Sequence, residues 1–301
     1  RTARRRTDGV IGVNIMVALN DFHELLDVAI DEGVDLVFMG AGLPIKGLPL
    51  QRMRERGVKA VPIVSSPRAT TMIFRMWRKI YNDVPDAVVV EGPQAGGHLG
   101  FAEGEIESED HTLAALVPEV AAALEPFEAE AERAIPVIAA GGIYDGGDIY
   151  EIISLGASAV QMGTRFVATE ECDADRRFKE AYVDATAEEI GIIQSPVGMP
   201  GRAIRNRFIT DSEEGRRPAF KCAWQCLSSC KADKAKYCIS IALNNARKGN
   251  LKQGFAFVGS NAYRIDEITT VPTLIGELAA EFRETVRARV VGRLETLTGQ
   301  V

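Results

Sequence analysis

The chain has 301 residues, 46% of them hydrophobic and 26% charged, with a formal net charge of −7. That composition is ordinary for a globular protein and excludes a disordered or collagen-like chain, and the acidic balance argues against nucleic acid as a partner. No apolar stretch approaches the length of a membrane span. Five cysteines, with no apolar export signal after Arg1-Thr-Ala-Arg-Arg-Arg6, predict a protein of the reducing cytoplasm rather than a disulfide scaffold.

Apolar runs with glycine-rich or polar exits recur at 10–17, 34–39, 58–64, 87–90, 135–140 and 157–162. Their two-sided apolar character predicts the strands of a buried parallel sheet. Between them the spacing turns helical. Residues 21–32 carry Phe22, Leu25, Leu26, Ala29 and Ile30 on one stripe, with Asn20 or Asp21 as N-cap and Gly33 where a helix-ending glycine belongs. Residues 146–155, closed by Gly156, read the same way. Alternating strands and helices imply right-handed crossovers and an α/β fold.

Six such strands suit an open doubly wound sheet. A closed (β/α)8 TIM barrel needs two more, and these would have to precede residue 1, about fifty residues of chain. The segment 168–190 is charged and helix-prone, 192–204 reads as loop through Pro196, Gly198, Pro200 and Gly201, and 211–218 is polar and loop-like. Helical spacing returns at 234–248 and at 271–297, the latter with Leu274, Leu278, Phe282 and Val286 poised to pack on the main domain. The expected organisation is a barrel over residues 1–166, a smaller inserted helical lobe over 167–270, and a C-terminal helix over 271–301.

Four constellations carry candidate chemistry. Glycines end two successive strands, at Ala139-Ala-Gly141-Gly142 and at Gln161-Met162-Gly163-Thr164. Main-chain N–H groups at such exits bind phosphate without charged side chains, and barrels place phosphate at their last two strand–loop junctions. Tight turns alone would also account for these glycines. The segment Glu91-Gly-Pro-Gln-Ala-Gly96-Gly-His98 delivers one histidine at a strand exit, where an imidazole can exchange protons near neutral pH. The other two, His23 and His111, fall in a helix and a polar stretch, as structural or exposed residues do. Asn14 interrupts the first apolar run; it needs a hydrogen-bond partner if buried, and either backbone or a cofactor ring would serve. Glu91 poses the same choice between a cofactor hydroxyl and loop amides. Finally, Cys222, Cys226, Cys230 and Cys238 are spaced so that, on a helix, neighbours four apart share one face. They are candidates for zinc or an iron–sulfur cluster, against the alternative of apolar packing.

The ordered set Gly12-Val-Asn14-Ile, Glu91-Gly-x-x-Ala-Gly-Gly-His98, Ile135-Pro-Val-Ile-Ala-Ala-Gly-Gly142 and Val160-Gln-Met-Gly-Thr-Arg-Phe166 resembles the nitronate monooxygenase family. The flavin-dependent FabK-type enoyl-acyl-carrier-protein reductases belong to the same superfamily. The resemblance covers roughly residues 10–270. It implies an FMN-binding TIM barrel with Asn14, Glu91, Gly96, Gly141, Gly142, Gln161, Met162, Gly163 and Thr164 around FMN and His98 as catalytic base. The implied activity is oxidation of alkyl nitronates with molecular oxygen. The alternative is reduction of enoyl thioesters by NAD(P)H, and a flavin-binding protein without turnover is the non-enzymatic alternative. Expected partners are a small-molecule substrate and a second copy of the chain, as a homodimer. Two departures stand out. The family's opening Gly-Gly-Met-type loop is absent, and Glu91 occupies a place where many nitronate monooxygenases carry glutamine and the reductases glutamate. No G-x-G-x-x-G nicotinamide fingerprint follows a strand.

Overall fold

A computed structural model describes residues 1–216, 220–222, 224–227, 230–231 and 233–298, with side chains described through residue 292. In chain order the first half comprises β1 (Gly12–Met16), α1 (Phe22–Asp31), β2 (Leu36–Gly40), α2 (Leu50–Glu55), β3 (Lys59–Val64), α3 (Pro67–Tyr81), β4 (Val88–Glu91), β5 (Gly97–His98) and α4 (Leu113–Ala131). Next come β6 (Val137–Ala140), α5 (Gly146–Ser154), β7 (Ala159–Gln161), α6 (Thr164–Val167) and α7 (Arg176–Val183). Then follow β8 (Ile190–Gln194), β9 (Pro200–Ile204), α8 (Arg207–Glu213), α9 (Ile239–Arg247) and α10 (Val271–Thr298).

Six strands form one parallel sheet in the order β1-β2-β3-β4-β6-β7. They are the six apolar runs of the sequence, and they supply six of the eight strands that a closed barrel contains. Burial on both faces of the inner strands β2, β3, β4 and β6 explains why their runs lack alternation, whereas the edge strands β1 and β7 are more exposed. In β4, Val88 and Val90 join the helix-side core, whereas Val89 packs on the other face with Val61, Ala87 and Ala140. The helix-side core also takes Leu26, Ile30, Phe74, Trp77, Leu116 and Leu124. Trp77 is fully buried and donates its indole N–H to the Pro44 carbonyl at 2.6 Å, which removes the cost of burying that polar group.

Local chemistry fixes the crossovers. Ser66 caps α3 by accepting from the Ala69 N–H at 3.2 Å, with Pro67 in the first turn. Thr112 caps α4 and an Asp145–Asp148 capping box opens α5. Asp21 stands at the N-cap of α1 without a side-chain cap bond, and Gly33 ends that helix in the left-handed region at φ 67°. The helix α10 lies on α5, where the Gly146 N–H donates to Glu281 at 2.8 Å.

Three expectations are corrected. The segment 192–204 is not loop: β8 and β9 form an antiparallel hairpin that adds β5 at its edge, giving a second sheet in the order β5-β9-β8. Its prolines and glycines occupy the turn and the first positions of β9, where proline is tolerated. Residues 211–213 belong to α8 rather than loop, with the Asn206 side chain capping that helix; Pro218 lies outside the described residues. The helix expected over 234–248 begins only at Ile239. Among the described residues no helix is long and apolar enough to cross a membrane.

Candidate active site

The C-terminal ends of β4, β6 and β7 converge on a cavity of about 330 Å³. Its lining includes Glu91, Gly96, Gly141, Gly142 and the whole run Gln161-Met162-Gly163-Thr164. Gly141 and Gly142 adopt φ of 93° and 83°, a region that disfavours any side chain. The cradle is fastened from outside: Asn261 donates to the Gly142 carbonyl at 2.6 Å, and the Gly259 N–H donates to Thr164 Oγ1 at 3.0 Å. A Cβ at Gly96 would stand 2.6 Å from the Val258 carbonyl carbon, so glycine permits the main chains to touch there.

A second cavity, about 420 Å³, shares Glu91 and Gly96 with the first and continues over the ends of β1 and β3. It is lined by Asn14, Met16, Ser65, His98 and Met199 among others. Asn14 is exposed to this space rather than buried in the sheet, so the question of a buried partner does not arise. The structure thus brings every non-cysteine candidate residue into two adjoining cavities. His23 lies on the exposed side of α1, and His111 Nδ1 donates to the Glu105 carbonyl, 3.1 Å away.

His98 belongs to β5, paired with Gly201 of β9. Its Nε2 lies 2.7 Å from Ser195 Oγ, and its ring meets the edge of Phe257 at a centroid distance of 5.0 Å. Burial pushes the imidazole below its ordinary range, because a low-polarity surround disfavours the charged form. At neutral pH the uncharged imidazole is thereby favoured. Glu91 is displaced the opposite way, its pKa raised to about 7 by desolvation. A protonated carboxyl there can donate a hydrogen bond, and an ionised one can accept.

Three residues at this site escaped sequence reasoning. Ser195 and Phe257 flank His98, and Tyr182 donates to the Phe257 carbonyl at 2.6 Å beneath the glycine cradle. All three lie 84 to 159 positions from His98 along the chain, and no local motif marks them. The cysteines Cys222, Cys226 and Cys230 do not lie on a helix, and Cys238 only precedes α9. All are free thiols, and among the described residues no group of three His, Cys, Asp or Glu side chains is arranged to hold a metal.

A parallel α/β sheet whose strand ends carry a glycine-rich cavity beside a half-buried imidazole has the layout of an α/β barrel with its site at the C-terminal strand ends. Comparison with known proteins narrows the class: the model of the nitronate monooxygenase family matches residues 3–281, and the chain belongs to that family of oxidoreductases. Among curated relatives, a nitronate monooxygenase of Pseudomonas aeruginosa is 30% identical over 199 residues, 66% of this chain and 52% of that protein. A hydroxy-methyl-oxo-octahydroindene-carboxyl-CoA dehydrogenase of Mycobacterium tuberculosis is 29% identical over 70% of this chain and 53% of its own length. The chain spans about half the length of the curated relatives it matches. Among solved structures, FabK of Thermotoga maritima superposes with a TM-score of 0.74 at 33% identity, covering 100% of this chain and 82% of that one. A nitroalkane oxidase of Streptomyces ansochromogenes, at 23% identity and a TM-score of 0.73, covers 95% of this chain and 84% of that one and shares the fold.

Proposed function

We propose that the chain is an FMN-dependent oxidoreductase of the cytoplasm that oxidises alkyl nitronates with molecular oxygen. The observation that carries the reading is His98: a half-buried imidazole, held between Ser195 and Phe257, lining a cavity that adjoins the glycine cradle. The residues suit the cofactor. The amides of Gly141, Gly142, Gly163 and Thr164 would hold an anionic phosphate, Gly96 lets the main chain at Val258 and Gly259 close against the cavity, and Asn14 and Glu91 would hydrogen-bond the cofactor's polar edge. When bound, FMN supplies the electron chemistry and delivers electrons to oxygen. The protein's part is proton transfer and orientation. His98 would remove the α-proton of a neutral nitroalkane, or orient a nitronate anion beside the flavin by donating a hydrogen bond to it. All five cysteines are free thiols, as a reducing compartment maintains them.

Two observations favour a second reading, reduction of an enoyl thioester at the expense of NAD(P)H: the carboxyl of Glu91 and the likeness to FabK along the whole chain. Oxygen uptake with propionate 3-nitronate is the expected activity, set against NAD(P)H oxidation with crotonyl thioesters. Turnover of the thioester without oxygen uptake on the nitronate would replace the first reading by the second. A protein that takes up FMN and turns over neither would be a flavin binder only. Size-exclusion chromatography tests the homodimer.

A further inference from the structure

Behind the Ser195 turn lies a third cavity, about 450 Å³, that neither the cradle nor the His98 cavity accounts for. Three lysines line it, Lys231, Lys234 and Lys236. Among the described residues none of the three pairs with a carboxylate; Lys236 instead donates to the Glu213 carbonyl at 3.2 Å. Glu213 is the one acidic residue of the lining, and its carboxylate is paired with Arg205 at 2.5 Å. The cavity is therefore cationic in a chain whose net charge is −7.

The wall is built rather than incidental. Tyr237 is 8% exposed, yet its hydroxyl has no hydrogen-bond partner among the described residues. An unpaired buried hydroxyl costs on the order of 1–3 kcal/mol, which a bound acceptor would remove. Ser195, 5% exposed, stands at the inner end and joins this cavity to His98. Ile193 and Ile209 supply an apolar flank. The combination of three ammonium groups, an orphan phenol and an apolar flank suits a phosphate ester, because lysines act as point charges on phosphate oxygens and the volume is that of a small-molecule site.

We propose that this cavity binds the phosphate of a phosphorylated small molecule, held by Lys231, Lys234, Lys236 and the Tyr237 hydroxyl. Two sources share that chemistry, a nucleotide cosubstrate and a nucleotide-bearing acyl thioester. The proposal deepens the oxidoreductase reading, but binding is measured without turnover, so the two stand or fall separately.

The test is calorimetric titration of the flavin-loaded protein with inorganic pyrophosphate, NADPH and coenzyme A. Binding is expected to weaken tenfold or more in the triple variant K231Q/K234Q/K236Q and severalfold in Tyr237→Phe, and to weaken with added salt. Displacement of pyrophosphate by NADPH or by coenzyme A identifies the source; binding of pyrophosphate alone assigns the site to a smaller phosphate. A control variant, K248Q/K252Q, carries the same kind of charge change elsewhere and should bind as the parent does. No binding of any probe at millimolar concentration overturns the proposal. So does equal affinity in the parent and the triple variant, or equal loss in the control. Unchanged flavin content verifies that each variant is folded.

Discussion

Replacing Glu91 by glutamine gives the most direct measure of the site's polarity. The carboxyl is raised from 4.5 to about 7 by desolvation, and each unit corresponds to 1.36 kcal/mol. The full effect is therefore about 3 kcal/mol; because Glu91 lines two solvent-reached cavities, roughly 1–3 kcal/mol is the expected range. The sign follows from proton binding. Below pH 4.5 the group is protonated in both folded and unfolded chains and contributes nothing. As pH rises toward 7 the unfolded chain ionises first, so the wild type loses stability, and above about 7 the loss is constant. Glu91→Gln removes the ionisation, so its stability advantage should grow from near zero at pH 4.5 to that range at pH 8. Urea unfolding of flavin-depleted protein between pH 4.5 and 8.5 reads the difference. A gap that does not change with pH, or a variant less stable at pH 8 than at pH 5 relative to wild type, would refute the assignment of a desolvated carboxyl.

Three further outcomes are expected. His98→Asn should lower kcat/KM for a neutral nitroalkane by roughly 10²–10⁴, the usual contribution of a general base, with a much smaller loss on a preformed nitronate; equal losses on both would remove the proton-abstraction role. Because burial lowers the His98 pKa, its imidazole should titrate below histidine's ordinary 6.5 by NMR, which three histidines make assignable, and the acid limb of kcat/KM should follow it; a limb above 6.5 contradicts this. Gly96→Ala should destabilise the fold by about 2 kcal/mol or more, since its Cβ meets main chain at Val258 rather than a movable side chain, and thermal unfolding with FMN titration measures both stability and affinity.

The main sheet was legible because its inner parallel strands, buried on both faces, write themselves as continuous apolar runs, and the two edge strands keep enough Val, Ile and Ala to be seen beside them. The glycine cradle was legible for a related reason: a positive φ at 141 and 142 demands glycine, and glycine is visible. The β8–β9 hairpin was not, because Pro196, Gly198, Pro200 and Gly201 signal turn more loudly than Ile190 to Ile193 signal strand. The cysteines invited a helical reading from spacing alone, and spacing does not say whether the backbone between them is helical. Ser195 was invisible on principle. Its role depends on an oxygen 97 positions from His98 arriving within 2.7 Å, a fact of tertiary pairing that no local pattern encodes.

That pairing divides the labour of the site between two sheets. The parallel sheet supplies Glu91 and both glycine exits, hence everything that would grip a cofactor. The small sheet supplies the proton side: β5 carries His98, β9 pairs with it through Gly201, and β8 runs directly into Ser195. Gly201 is part of this logic, since a Cβ there would press into the Phe257 ring at 2.9 Å, the same ring that abuts His98. Perturbing one sheet should therefore leave the other's task intact. Ser195→Ala ought to reduce turnover and shift the pH profile of His98 while flavin stoichiometry stays at the wild-type value. If flavin content fell in parallel with rate, Ser195 would be holding the fold of the cavity as a whole, and the separation of cofactor binding from proton handling would have to be abandoned.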